Sequence, residues 1–418
     1  MTREAALVFE WRPRGRRGLV KTIRVAALSL TLALAPLAAR ADVPGDYEMY
    51  GRAIAWLAKQ QQENGAFGQI PGQPPGEVGI TGLVIKALAS APEPFRAQYR
   101  PAAEKAAAWV LKHQQADGSF SMERSGLTTY RTSISIMALV ALDKEKYAAQ
   151  IQKASAWLTG NQWQDTNGVK EQDPYYGGFG YDKTGEKPDA DLSNTHMALA
   201  ALKEAGLGPD DPVWKRAMTF VARCQNSSET NPAVGGLKPL DDGGFIYDPG
   251  LDRNKAAAID NGDGTHSFNS YASMTYAGLL ALLHAGLTPE DPKVKSALGW
   301  IKDNYTLEEN AGLGLRQSDP KAAQQGLYYY YHSFAKCLAA RGAPTVETKA
   351  GPKHWAVDLF QALRAREKGQ DQGGGMWSND SDRWMEKDPT LVGAYVVNAM
   401  NYAVPFLPQG SFAPLKKQ

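Results

Sequence analysis

Ala106-Ala107-Ala108-Trp109-Val110-Leu111, followed by Gln114-Gln115-Ala116-Asp117-Gly118-Ser119-Phe120, is the stretch that decides the fold. A tryptophan set among alanines at helical spacing anchors one helix against a neighbour. The glutamine can bond backbone groups left free at the helix end, and the glycine permits a tight turn there. The unit recurs. Ala53-Ile54-Ala55-Trp56-Leu57 leads to Gly65-Ala66-Phe67, Ala154-Ser155-Ala156-Trp157-Leu158 to Gly177-Gly178-Phe179, and Ala217-Met218-Thr219-Phe220-Val221 to Gly243-Gly244-Phe245. A fifth copy runs from Ala297-Leu298-Gly299-Trp300-Ile301 to Gly312, and a degraded sixth from Trp355 to Gly373-Gly374-Gly375-Met376-Trp377. Such self-similarity marks a repeat architecture. One hairpin cannot bury its own apolar face, so several must stack, and about six can close into a ring. The expected fold is all-α, an α/α toroid of about six helical hairpins with inner and outer rings of helices.

The second helix of each unit starts near Val78, Thr128, Asp191, Asn269 to Tyr271, Tyr329 and Asp388. In a ring these helices form the inner wall. Their N-termini line one mouth of a central cavity, where helix dipoles favour anions. The residues expected to face a ligand there are Tyr130, Arg131, Ser193, Asn194, His196, Tyr271, Tyr328 and His332, within a tyrosine run from 328 to 331. Ser, Thr and Asp at such places also serve as plain helix N-caps. Arg131 either binds an anionic head group or pairs with Asp191. The histidines 196, 266 and 332 read as separate hydrogen-bonding groups rather than a metal site, and no cofactor is expected. The acidic loop Asp260-Asn261-Gly262-Asp263-Gly264-Thr265 reads as a surface turn, without the ligand spacing of an EF-hand.

Gln-rich turns followed by Gly-x-Phe or Gly-x-Trp resemble the repeats of squalene-hopene cyclases. Ser273 to Leu279 and Leu327 to His332 resemble prenyltransferase/squalene-oxidase repeats. The resemblance covers most of residues 46–404 and implies a terpenoid-cyclase-type toroid. In that family, class II cyclases protonate an alkene with an Asp-x-Asp-Asp-Thr motif. The matching segment is Asp191-Leu192-Ser193-Asn194-Thr195, so Ser193 and Asn194 stand where two of the carboxylates should be. A register shifted by two pairs Asp189 and Asp191 with the first two acids but loses the Thr. The resemblance thus leaves Asp191 and Asp189 as the candidate catalytic residues, with the usual acid missing. The zinc site of the protein prenyltransferases is also incomplete. His332 lies in the segment that would supply their His, but 248–268 holds no Cys.

The first 24 residues include Arg12, Arg14, Arg16, Arg17, Lys21 and Arg24, and an apolar run follows from Val25 to Ala38. Ala39-Arg40-Ala41 fits a small-x-small cleavage site. Residues 1–41 are therefore expected to be a signal peptide, of Sec or twin-arginine type, and 42–418 a single toroid domain. Export to the periplasm or cell surface follows from this reading. The formal net charge of +2 gives no reason to expect nucleic acid as a partner. Cys224 and Cys337 lie on different hairpins and read as separate buried thiols, although an oxidising compartment permits a disulfide. The expected partner is a hydrophobic small molecule or lipid-like ligand, with peripheral membrane contact open, as is the oligomeric state. Three functions fit. One is an enzyme of terpene cyclase/mutase or prenyltransferase type acting on an isoprenoid-like substrate. Another is a non-catalytic periplasmic binding or scaffold protein. The third is a glycan-active α/α-toroid enzyme.

Overall fold

The computed structural model describes residues 45–414, apart from 71, 124–125, 183–187, 232 and 234. The signal peptide expected over 1–41 lies outside the described residues. Twelve α-helices occur among those described: α1 Asp46–Lys59, α2 Val78–Ala89, α3 Phe95–Leu111, α4 Thr128–Asp143, α5 Ala148–Asn161, α6 Leu192–Ala205, α7 Pro212–Arg223, α8 Ala272–His284, α9 Pro292–Asn304, α10 Leu327–Arg341, α11 Trp355–Ala365 and α12 Pro389–Ala403. Two short antiparallel hairpins decorate the connections, β1 Ala258–Asp260 with β2 His266–Phe268 and β3 Thr345–Val346 with β4 Lys353–His354.

The two sets of helices differ in what they bury. α2 buries every residue except Lys86, and α8 buries eleven consecutive residues, Ala272 through Leu282. Helices apolar all round belong inside. α9 buries only Val294, Ala297, Trp300 and Ile301, a single stripe at helical spacing. The even-numbered helices pack in the order α2, α4, α6, α8, α10, α12, and α12 packs back on α2. The odd-numbered helices lie outside this inner ring. The expected α/α toroid is therefore the observed fold, with α1 packed against both α2 and α12 at the seam.

A set of repeated hydrogen bonds holds successive hairpins together. The repeat glutamine does more than cap its own helix. Gln114 Nε2 donates to Gly118 O at 3.2 Å and to Gln150 O of α5 at 3.0 Å. Gln162 joins Gly177 O to Val213 O of α7, and Gln225 joins Gly243 O to Lys293 O of α9. Each amide thus ties its turn to the outer helix of the next hairpin. The aromatic of each turn is tied inward. Phe67, Phe120, Phe179 and Phe245 donate their backbone N–H to the hydroxyls of Thr81, Thr132, Thr195 and Thr275, at 2.9 to 3.1 Å.

The turn glycine is required where the turn meets that outer helix. Gly177 has φ +85°, and a Cβ there would lie 1.8 Å from Arg216 O of α7. Gly375 makes the same approach at the seam, with φ +83° and a Cβ position 2.4 Å from Arg52 O of α1. Arg52 also donates twice to Glu367, each bond 2.8 Å, so the last hairpin is latched to the first. Cys224 and Cys337 are both buried, and neither is in a disulfide.

Candidate functional site

The inner helices start with their N-termini at one end of the ring. A cavity of about 240 Å³ opens among those starts. Its apolar wall includes Ile80, Leu83, Ile134, Met274 and Leu391. Six tyrosines line it as well: 130, 181, 247, 271, 329 and 395. Trp384, exposed at 41%, and Met385 also border it, and both hold positive φ, 56° and 64°. Apart from tyrosines, its ionisable lining among the described residues is Glu77, Arg131, Lys255 and Glu386.

Four of the residues expected to face a ligand line this cavity: Tyr130, Arg131, Ser193 and Tyr271. Ser193 sits between two phenols. Tyr130 OH donates to Ser193 Oγ at 2.6 Å, and Tyr329 OH is 2.6 Å from the same oxygen. Tyr329 OH in turn lies 2.7 Å from His196 Nε2. His196 is buried behind this chain, and burial first, then the charge of Lys336, holds its pKa well below the ordinary value. It stays neutral and can accept from Tyr329.

The other expected residues stand off the wall. Tyr328 does not line the cavity. Helix α10 begins at Leu327, two residues before the expected start, and Tyr329, about 100° round the helix from Tyr328, lines the cavity instead. Tyr328 packs edge-on against Tyr331, with centroids 5.7 Å apart. His332 lies deeper, between the rings of Tyr395 and Tyr402, and burial pushes its pKa down to about 3. Asn194 faces Asp191, not the cavity. Asp189 is partly exposed in the connection before α6, with Arg253 Nη1 3.8 Å away.

Asp191 is the N-cap of α6 and is wholly buried. Its Oδ1 accepts the Asn194 N–H at 2.8 Å, and its Oδ2 accepts Asn194 Nδ2 at 2.9 Å. Burial raises its pKa to about 6, against the pull of those bonds. It does not pair with Arg131. That guanidinium instead meets Glu77, with Nε 2.7 Å from Oε1, while Glu77 Oε2 accepts the Ile80 N–H and caps α2. Glu77 was legible in the sequence: it stands four residues before Thr81, as Asp191 stands four before Thr195.

Glu386 was not. It lies in the connection before α12, yet its Oε1 accepts the Tyr329 N–H at 2.8 Å and its Oε2 accepts Asn379 Nδ2 at 2.7 Å. It thus caps α10 from a distance. Burial lifts its pKa to about 7 in spite of these donors.

The described residues form a closed α/α toroid with a tyrosine-lined cavity at the N-terminal ends of its inner helices. Residues 72–233, less than half of the chain, match the family model of the squalene-hopene cyclase C-terminal domain. Solved structures extend the likeness of fold along the chain. The type II terpene cyclase MstE from Scytonema, in a variant without ligand, superposes with TM-score 0.51 at 14% identity. That match covers 87% of this chain and 98% of that one. A second MstE variant, in complex with its substrate geranylgeranyl dihydroxybenzoate, matches with the same values. A protein from Actinoplanes matches with TM-score 0.51 at 11% identity, over 86% of this chain and 99% of that one. No curated protein sequence matches the chain.

Proposed function

We propose that this protein is exported and holds a hydrophobic, isoprenoid-like ligand in its central cavity, without starting cyclisation by proton transfer from the head of α6. The observation that carries the reading is the make-up of the cavity wall. Aliphatic side chains bury a hydrocarbon chain, and tyrosine faces suit its unsaturated carbons. The substrate in the MstE complex is a prenylated aromatic acid, which fits the same class. Against alkene protonation stands Ser193 on the wall, where a carboxylic acid would have to be. A hydroxyl cannot supply a proton of that acidity at neutral pH. Asp191, the nearest carboxyl in sequence, is held at the α6 cap by Asn194 and does not line the cavity.

Farnesol is a suitable probe. Saturable binding, together with a prenyl lipid retained in native mass spectrometry of the purified protein, is the expected result. No saturable farnesol binding and no retained lipid would overturn the reading.

One observation favours a catalytic variant of it. Glu386 is a buried carboxyl on the cavity wall with a pKa raised to about 7, so near neutral pH it can both hold and release a proton. A proton donor of this strength suits an activated substrate such as an epoxide better than a bare alkene. Incubation with an epoxidised prenyl chain, followed by mass spectrometry of the products, tests it. Conversion by the native protein that is lost in Glu386→Gln supports catalysis, and absence of conversion by the native protein removes it.

A further inference from the structure

Arg131 is fully buried, yet it uses only one of its three nitrogens. Nε is bonded to Glu77, while Nη1 and Nη2 have no hydrogen-bond partner among the described residues. Arg131 also lines the cavity. An interior guanidinium with an unbonded edge is costly, because its remaining N–H donors have been taken from water without replacement. The two free nitrogens form the fork that matches both oxygens of a planar oxyanion.

We propose that the ligand is an amphiphile with a carboxylate head group, and that Arg131 Nη1 and Nη2 grip that head inside the cavity. This rests on the cavity reading above and names the polar end of its ligand. Three observations support it. Glu77 fixes the guanidinium through Nε, so the two Nη nitrogens are the donors left for a ligand. The inner-helix N-termini surround the site and add their positive ends. The third is the balance of charge. Glu77 faces Arg131 at 2.7 Å, and Lys255, whose Nζ sits 4.5 Å from the centroid of the Tyr247 ring, adds a second cation to the wall. A single carboxylate meets the Nη fork of Arg131 and faces that second cation. A diphosphate, with two or three negative charges, would also face the carboxyl groups of Glu77 and Glu386 on the same wall.

The test is the affinity of two probes with the same hydrocarbon chain, farnesoic acid and farnesol, with farnesyl diphosphate as a third. The native protein is expected to prefer the acid over the alcohol by about 10- to 100-fold, the range for charge-assisted hydrogen bonds. In Arg131→Gln that ratio should collapse toward unity. Because this variant leaves Glu77 without its partner, the double variant Glu77→Gln/Arg131→Gln removes both charges and carries the test if the single one does not fold. Farnesol binding with no preference for the acid would overturn the carboxylate site and leave the cavity reading standing. A preference that survives in the variants, or tighter binding of the diphosphate than of the acid, would overturn the carboxylate site in the same way. Binding of neither acid nor alcohol would overturn the cavity reading and this site with it.

Discussion

Replacing Asp191 by Asn separates the capping role of this residue from its charge. The pKa of the buried carboxyl is about 6 against 3.8 for the free side chain. The difference of about 2.2 units, at about 1.4 kcal/mol per unit, makes the ionised form cost roughly 3 kcal/mol in the folded protein. The folded pKa lies above the unfolded one. The carboxyl's contribution to stability is therefore intact below pH 3.8 and is lost as pH rises through about 6. Asn keeps the acceptor that bonds the Asn194 N–H, and Asn caps as well as Asp. Its NH₂ would meet Asn194 Nδ2, 2.9 Å from Oδ2 at present. A flip of the Asn194 amide resolves this, since its Oδ1 now has no partner among the described residues. The variant should match the native protein at about pH 4 and exceed it by up to about 3 kcal/mol at about pH 8 in chemical denaturation. A variant less stable than the native protein by more than about 1 kcal/mol at both pH values would refute the argument, since the cap and not the charge would then dominate.

Two further outcomes follow. Gly177→Ala combines a positive φ with a methyl driven into the Arg216 carbonyl, and should cost about 2–5 kcal/mol, whereas Gly160→Ala, near the end of α5 with nothing within 4 Å of the added carbon, should be neutral or slightly stabilising; equal denaturation midpoints for the two variants would contradict the turn-to-helix contact. The mature protein should begin at Asp42, and terminal sequencing that finds Met1 on the functional form would exclude the expected leader.

The ring was legible because its determinants are local and repeated. Trp109, Gln114, Gly118 and Phe120 lie within one turn and the helix before it, and the same grouping returns wherever a hairpin does. The starts of all six inner helices could be placed within a residue or two for the same reason. The wall of the cavity was only partly legible. Which of four consecutive tyrosines faces inward depends on the phase of α10, which an unbroken aromatic run does not reveal. The choice of partner for Arg131 is a contact between α4 and the head of α2, across 54 positions of sequence. Glu386 carries no local pattern, because the helix it caps is not the one it precedes. Spacing rules reach along a helix, not across a ring.

The seam has a consequence for how the chain reaches this shape. Tyr50 OH in α1 bonds Asn401 Oδ1 in α12, and Asn398 Nδ2 in α12 bonds Leu83 O in α2, each pair more than 310 positions apart. Hairpins one to five can form in order as the chain lengthens, since each needs only its neighbour. The first hairpin, however, keeps an open flank until the last has been made. Synthesis therefore ends before folding can, and the nascent protein exposes an unmatched apolar face at both ends of an incomplete arc. Those faces are complementary to each other, so at high concentration two unfinished arcs can also join end to end. Dimers of exchanged hairpins are the misassembly this topology invites, and dilution during refolding is the condition that favours closure within one chain.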